Sequence, residues 1–347
     1  MVLKEPFLAT SIGSFPHLDE TEVLPLIRKD FPHIPFLAQF PRRSFLEGMV
    51  AQYSEGFPGL RLDLEARRLW VDTSSGFETE VERFYQAIEK MDLESLRISR
   101  EYAAGLRLLE ILSDQEVSKG FKYVKAQVTG PITFGLSLTD QERRPIFYDP
   151  TLREVLIHHL AFKARWLEKR LRELFPGIPS IIFFDEPALS AIGSAFSGLH
   201  EGEVIQSLSE CFRAVQGLKG VHCCGNTDWP LLLTAPLDIL SFDAYGYLDN
   251  LSLYPKELAA FLERGGILAW GLIPTGEEIL KEDVDTLAER LRKGVKRLTR
   301  EGIDPGLLNQ AILTPSCGMG SLSVPLAERV CHLTSEVSRR LREEEGH

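Results

Sequence analysis

Short apolar runs recur along this 347-residue chain, each closed by Gly, Pro or a polar residue. They fall at 7–12, 34–39, 123–128, 180–184, 220–224, 239–242, 266–271 and 311–313. Between the later runs, 151–174, 202–216, 255–264 and 281–300 repeat apolar residues at helical spacing, as in Leu152, Val155, Leu156, Leu160 and Leu167. Short continuous apolar runs alternating with helices read as parallel strands buried on both faces. Units of this kind, repeated around a ring, predict an α/β fold, the (β/α)8 TIM barrel.

The long interval after 34–39 breaks the rhythm. Within it, 59–72 sets Leu60, Leu62 and Leu64 against Arg61, Asp63 and Glu65, which predicts a hairpin or extended arm. Residues 78–90 and 96–112 predict helices. We read approximately 57–115 as an insertion after strand 2, near the barrel mouth, and 1–347 as one barrel domain.

Composition narrows the function classes. The chain is 44% hydrophobic with a formal charge of −11, and its basic residues are scattered. That argues against nucleic acid or an anionic membrane as partner. No apolar run approaches the roughly 20 residues of a membrane span. The first residues lack a basic stretch followed by a long apolar one, so a cytoplasmic protein is expected. The five cysteines are then expected as thiols. Neither G-x-G-x-x-G nor a Walker motif supports a nucleotide cofactor.

The chemistry-bearing residues sit just after the apolar runs, on the face where barrel enzymes place their sites. In VHCCGNTDW, His222 and Cys224 are two apart and share a strand face, with Cys223 on the other. Cys317 follows the last run, in LTPSCGMGS, and Asp243 follows the sixth. Two thiolates and an imidazole suit Zn2+ with an open position. The alternatives are a buried thiol pair beside a satisfied histidine, a small residue in a turn for Cys317, and a helix cap or ligand positioner for Asp243. Asp185 and Glu186 close the run Ile-Ile-Phe-Phe, and alternation sends one to the mouth and the other to a structural hydrogen bond. Arg42 and Arg43 suit a carboxylate or phosphate, or form a solvated pair. Backbone N–H groups around Gly13 suit a carboxylate. His17, His33, His158, His159, His200, His332 and His347 show no ligand spacing.

The segments TSIGSFPH, KAQVTGPITF, FFDEPALS, VHCCGN and TPSCGMGS, in this order, resemble the catalytic domain of cobalamin-independent methionine synthase. They also resemble its short single-barrel relatives in the uroporphyrinogen decarboxylase-like superfamily. Those relatives include methylcorrinoid:coenzyme M methyltransferases, whose H-x-C-G-N turn is close to VHCCGN. The resemblance implies a (β/α)8 barrel and zinc ligands at His222, Cys224 and Cys317, with Asp243 as an added carboxylate ligand. It implies that Asp185 holds the amino group of a homocysteine-type acceptor, and that Ile12, Gly13 and Ser14 meet the same molecule. Two departures stand out. Asp243 is a glutamate in the long synthases, and Arg42-Arg43 stands where those enzymes place a second acid.

The implied activity is methyl transfer to a zinc-activated thiol, homocysteine or a relative such as coenzyme M, as in methionine biosynthesis. The long synthases carry a second barrel that helps bind folate. One barrel here implies a methylcorrinoid donor, as free methylcobalamin or on a corrinoid protein. Two other readings compete: a metal-free uroporphyrinogen decarboxylase-like enzyme using Arg42, Arg43 and Asp185, and a non-catalytic zinc- or corrinoid-binding barrel.

Overall fold

The computed structural model describes Leu3, 5–191 and 199–346. His347 lies outside these residues. Among them, nine strands form: β1 (Leu8–Ala9), β2 (Leu60–Asp63), β3 (Arg68–Val71), β4 (Val124–Thr129), β5 (Ser180–Asp185), β6 (Leu218–Cys223), β7 (Ile239–Phe242), β8 (Ile267–Ile273) and β9 (Ala311–Pro315). Seven of them make one curled parallel sheet in the order β1-β9-β8-β7-β6-β5-β4.

The expected strand at 34–39 does not form a regular ladder. It lies between the two edges of the sheet and bonds to both. Leu37 N–H donates to Lys125 O, and Lys125 N–H to Pro35 O, each at 2.9 Å. On the other side Gln39 N–H donates to Gly13 O at 2.9 Å and Phe15 N–H to Gln39 O at 2.8 Å. Pro35 has no N–H to offer, so its end of the run cannot donate to a ladder. The run at 7–12 is also cut short. Gly13 adopts φ +144°, and a Cβ there would stand 2.3 Å from the Gln127 amide nitrogen. Only glycine lets the chain turn here.

Alternation splits the core into two layers. Leu8, Ile181, Phe183, Leu218, Ile239, Ile267 and Ile312 fill the inside of the sheet. Ile182, Phe184, Val221, Leu240, Phe242 and Leu313 face the surrounding helices. Each fully buried large apolar side chain contributes roughly 1.5–3 kcal/mol. The expected helices form at Pro150–Leu174, Glu201–Arg213, Pro255–Glu263 and Val284–Arg300.

In the stretch read as an insertion, β2 and β3 pair as an antiparallel hairpin, with Leu60 opposite Val71. Helix Phe77–Glu89 matches expectation, but the helix expected over 96–112 starts only at Gly105. The backbone groups it needs are taken elsewhere. Ser99 N–H donates to Glu55 at 2.7 Å, and Lys163 donates to Arg97 O at 2.9 Å. No helix among the described residues is long and apolar enough to cross a membrane.

Candidate metal centre and its cavity

Strand β6 ends at Cys223, so its alternation reaches the rim of the sheet. His222 points inward, Cys223 packs in the sheet–helix core, and Cys224 follows at the rim. Cys317 comes from the turn after β9. One ligand atom each from His222, Cys224 and Cys317 lie within 4.8 Å of one another. His222 Nδ1 meets Ser241 Oγ on β7 at 3.0 Å, while Nε2 is buried with no hydrogen-bond partner among the described residues. A hydrogen bond from the Cys317 thiol pulls Cys224 toward thiolate, and His222 pulls the same way. The same bond and burial push Cys317 up. This donor set fits zinc: an imidazole with an orphaned buried nitrogen lies beside two sulfurs, one already disposed to ionise.

The three residues line a cavity of about 430 Å³ at the C-terminal ends of the strands. Ile12, Ser14, Arg42 and Asp185 line it too, as do Glu47, Met49 and Pro187. Asp185 is 5% exposed, and its Oδ1 has no hydrogen-bond partner among the described residues. Burial raises its pKa to about 6, opposed by His222 and Lys125. Glu186, on the opposite face, accepts from Ile132 N–H, Thr133 N–H and the Thr133 hydroxyl at 2.6–2.8 Å. The two acids divide as alternation requires.

Cys317 is held by the turn at Ser14. Met319 N–H donates to Ser14 O at 3.0 Å, and Gly320 N–H to Ser14 Oγ at 3.2 Å. A Cβ on Gly318 would stand 2.2 Å from that hydroxyl, which explains the glycine beside the cysteine. Gly13 shapes this turn from behind and is not among the cavity-lining residues.

The remaining expected residues are placed differently. Asp243 is not one of the three residues whose ligand atoms gather within 4.8 Å; it caps helix Ala244–Leu251, accepting from Gly246 N–H at 2.7 Å. Arg42 reaches the cavity and donates to Ser321 O at 2.6 Å. Arg43 turns to Glu47 and lies 3.8 Å from Glu20. Sequence reasoning missed Glu47, a buried carboxylate on the cavity wall that also accepts from Phe40 N–H at 3.2 Å. Its signal was an acid set among Phe45, Leu46 and Val50.

No family profile matches the sequence, and no curated protein matches it. Solved structures do. A putative vitamin-B12-independent methionine synthase from Listeria monocytogenes aligns over 98% of both chains at 15% identity, with a TM-score of 0.57. A B12-independent methionine synthase from Shewanella sp. W3-18-1, in complex with selenomethionine, aligns over 69% of this chain and 67% of its own at 18% identity, with a TM-score of 0.49. The likeness over 98% of both chains shows that this chain shares the barrel-like fold of the Listeria structure.

Proposed function

We propose that this protein is a zinc-dependent thiol S-methyltransferase, with homocysteine or a related thiol as acceptor and a methylcorrinoid as donor. One observation carries the reading: ligand atoms of His222, Cys224 and Cys317 gather on a cavity that Asp185, with an unpartnered Oδ1, also lines. Zinc held by these three residues would supply a Lewis acid that keeps a substrate thiol as thiolate near neutral pH. Two thiolates and a neutral imidazole balance its charge and leave a position free for the acceptor.

The chain's own residues do the rest. Asp185 Oδ1 accepts the acceptor's ammonium, and burial strengthens that bond. The turn at Ile12 and Ser14 fixes the rest of the acceptor. Ile12, Met49 and Pro187 keep the sulfur in an apolar setting. Asp243 is taken as an exchangeable ligand, one of its oxygens already capping a helix N-terminus. Arg42 at the cavity wall suits an anionic group on acceptor or donor.

The same reading takes the fold as a closed (β/α)8 barrel with 34–39 as its second strand, supported by bonds to both sheet edges. It takes 1–347 as one domain with an insertion at 57–115, in a reducing cytoplasm where the cysteines stay free to bind metal. The decarboxylase reading is weakened because Arg43 is bound to Glu47 and Glu20. Metal analysis tests the proposal. Protein produced with zinc should hold close to one equivalent, lost in Cys224→Ser and Cys317→Ser. Active, untagged protein without metal would overturn it.

A further inference from the structure

Lys125 is fully buried inside the sheet, on the face of β4 that also carries Gln127. Its Nζ donates to Ile12 O at 2.9 Å and to Gln127 Oε1 at 3.1 Å, and lies 4.7 Å from the centre of the Phe183 ring. No carboxylate forms an ion pair with it among the described residues. Burying a cation costs several kcal/mol, and an apolar side chain would fill this space without that cost. What the ammonium holds explains its presence. Gln127, which it orients, donates to Leu37 O at 2.8 Å and packs directly behind Gly13. The two side chains tie 12–14, 34–39 and β4 together where no regular ladder joins β1 to β4.

We propose that Lys125 is a positioning residue for the acceptor subsite, clamping the Ile12–Ser14 turn into the cavity wall from inside the sheet. The inference rests on the thiol-alkylation reading for its kinetic consequence, though not for its structural one. Phe183 lies two residues before Asp185 on the same face, so the ammonium sits one layer below that carboxylate. Burial lowers the Lys125 pKa to about 8, and Asp185 acts in the opposite direction. The positive charge thus also supports the acid assigned to the acceptor's ammonium.

Lys125→Met, close in length and uncharged, tests this on the full chain loaded with zinc, using methylcobalamin and homocysteine. A charge-assisted hydrogen bond of ordinary strength predicts a rise in KM for homocysteine of about tenfold or more. The kcat should stay within about twofold and the metal content unchanged. Amide hydrogen exchange at 12–15 should accelerate about tenfold or more, a readout that needs no substrate. Unchanged KM together with unchanged exchange would overturn the proposal. If the wild type transfers no methyl group, the functional reading fails while the exchange result still decides the role of Lys125. Lys125→Gln, which keeps a donor without the charge, is measured beside it. Faster exchange across the whole sheet in both variants, rather than at 12–15, would make Lys125 a plain stabilising residue and also overturn the proposal.

Discussion

His222 and Ser241 face each other across β6 and β7, with Nδ1 3.0 Å from the hydroxyl. This contact fixes the ring and, if Nδ1 carries the proton, leaves Nε2 as a lone-pair donor toward Cys224 and Cys317. Ser241→Ala should therefore weaken zinc binding about 10- to 100-fold without unfolding the protein. Competition with a chromogenic chelator measures it. Unchanged affinity would mean that the serine plays no part in orienting the ligand.

Asp185 is the buried acid with a free oxygen on the cavity wall. Asp185→Asn should raise KM for an amino-bearing thiol about 10- to 100-fold, from the loss of a charge-assisted bond. KM for an amino-free thiol should move less than about twofold, and zinc content should not change. Equal losses for both thiols would contradict the assigned role.

Asp243 separates two roles that the sequence left open. If it is a cap first, Asp243→Ala should keep most of the zinc and lose about 1 kcal/mol of stability. Urea unfolding and metal analysis on the same preparation give both numbers. Metal loss as complete as in Cys224→Ser would make it an essential ligand.

His159 predicts an acid weakness in the fold. It is fully buried among Phe57, Phe84 and Phe134, with Nε2 2.7 Å from Tyr53 O. Burial lowers its pKa to about 3, with Lys163 acting the same way. Below its ordinary value of about 6.5 the unfolded chain takes up a proton that the folded chain refuses. Its contribution is therefore complete above pH 6.5 and shrinks as pH falls toward 3, by up to about 1.4 kcal/mol per pH unit. His159→Gln keeps a donor for Tyr53 O and should flatten that slope between pH 6.5 and 4.5 in urea unfolding. An identical slope in both proteins would rule out His159 as its source.

Much of this was legible in the sequence because it depends on period-two alternation. Asp185 and Glu186 had to face opposite ways, and so did His222 and Cys223. The three candidate ligands lie at strand ends on one side of a curled sheet, which is what brings them together. What stayed hidden depends on partners far along the chain. Pro35 broke a ladder that an apolar run had promised. Glu55 and Lys163 took backbone groups that helical periodicity had assigned to 96–112. Glu47 and Arg43 neutralise each other four residues apart, so the arginine pair expected at the mouth is one arginine and a buried acid. Lys125, inside the apolar run 123–128, carries no local signal of its bond to Ile12 O. Asp243 was ambiguous for a local reason: an aspartate before a helix suits a cap and a metal equally.

The central claim is an open metal site that takes a thiol. Cobalt(II) substitution and visible spectroscopy, with and without homocysteine, test it directly. Cobalt should bind at about one equivalent with the intense absorption of thiolate ligation, and homocysteine should change that spectrum in wild type and abolish nothing already bound. Failure to bind cobalt, or a spectrum unmoved by any thiol at saturating concentration, would contradict the account.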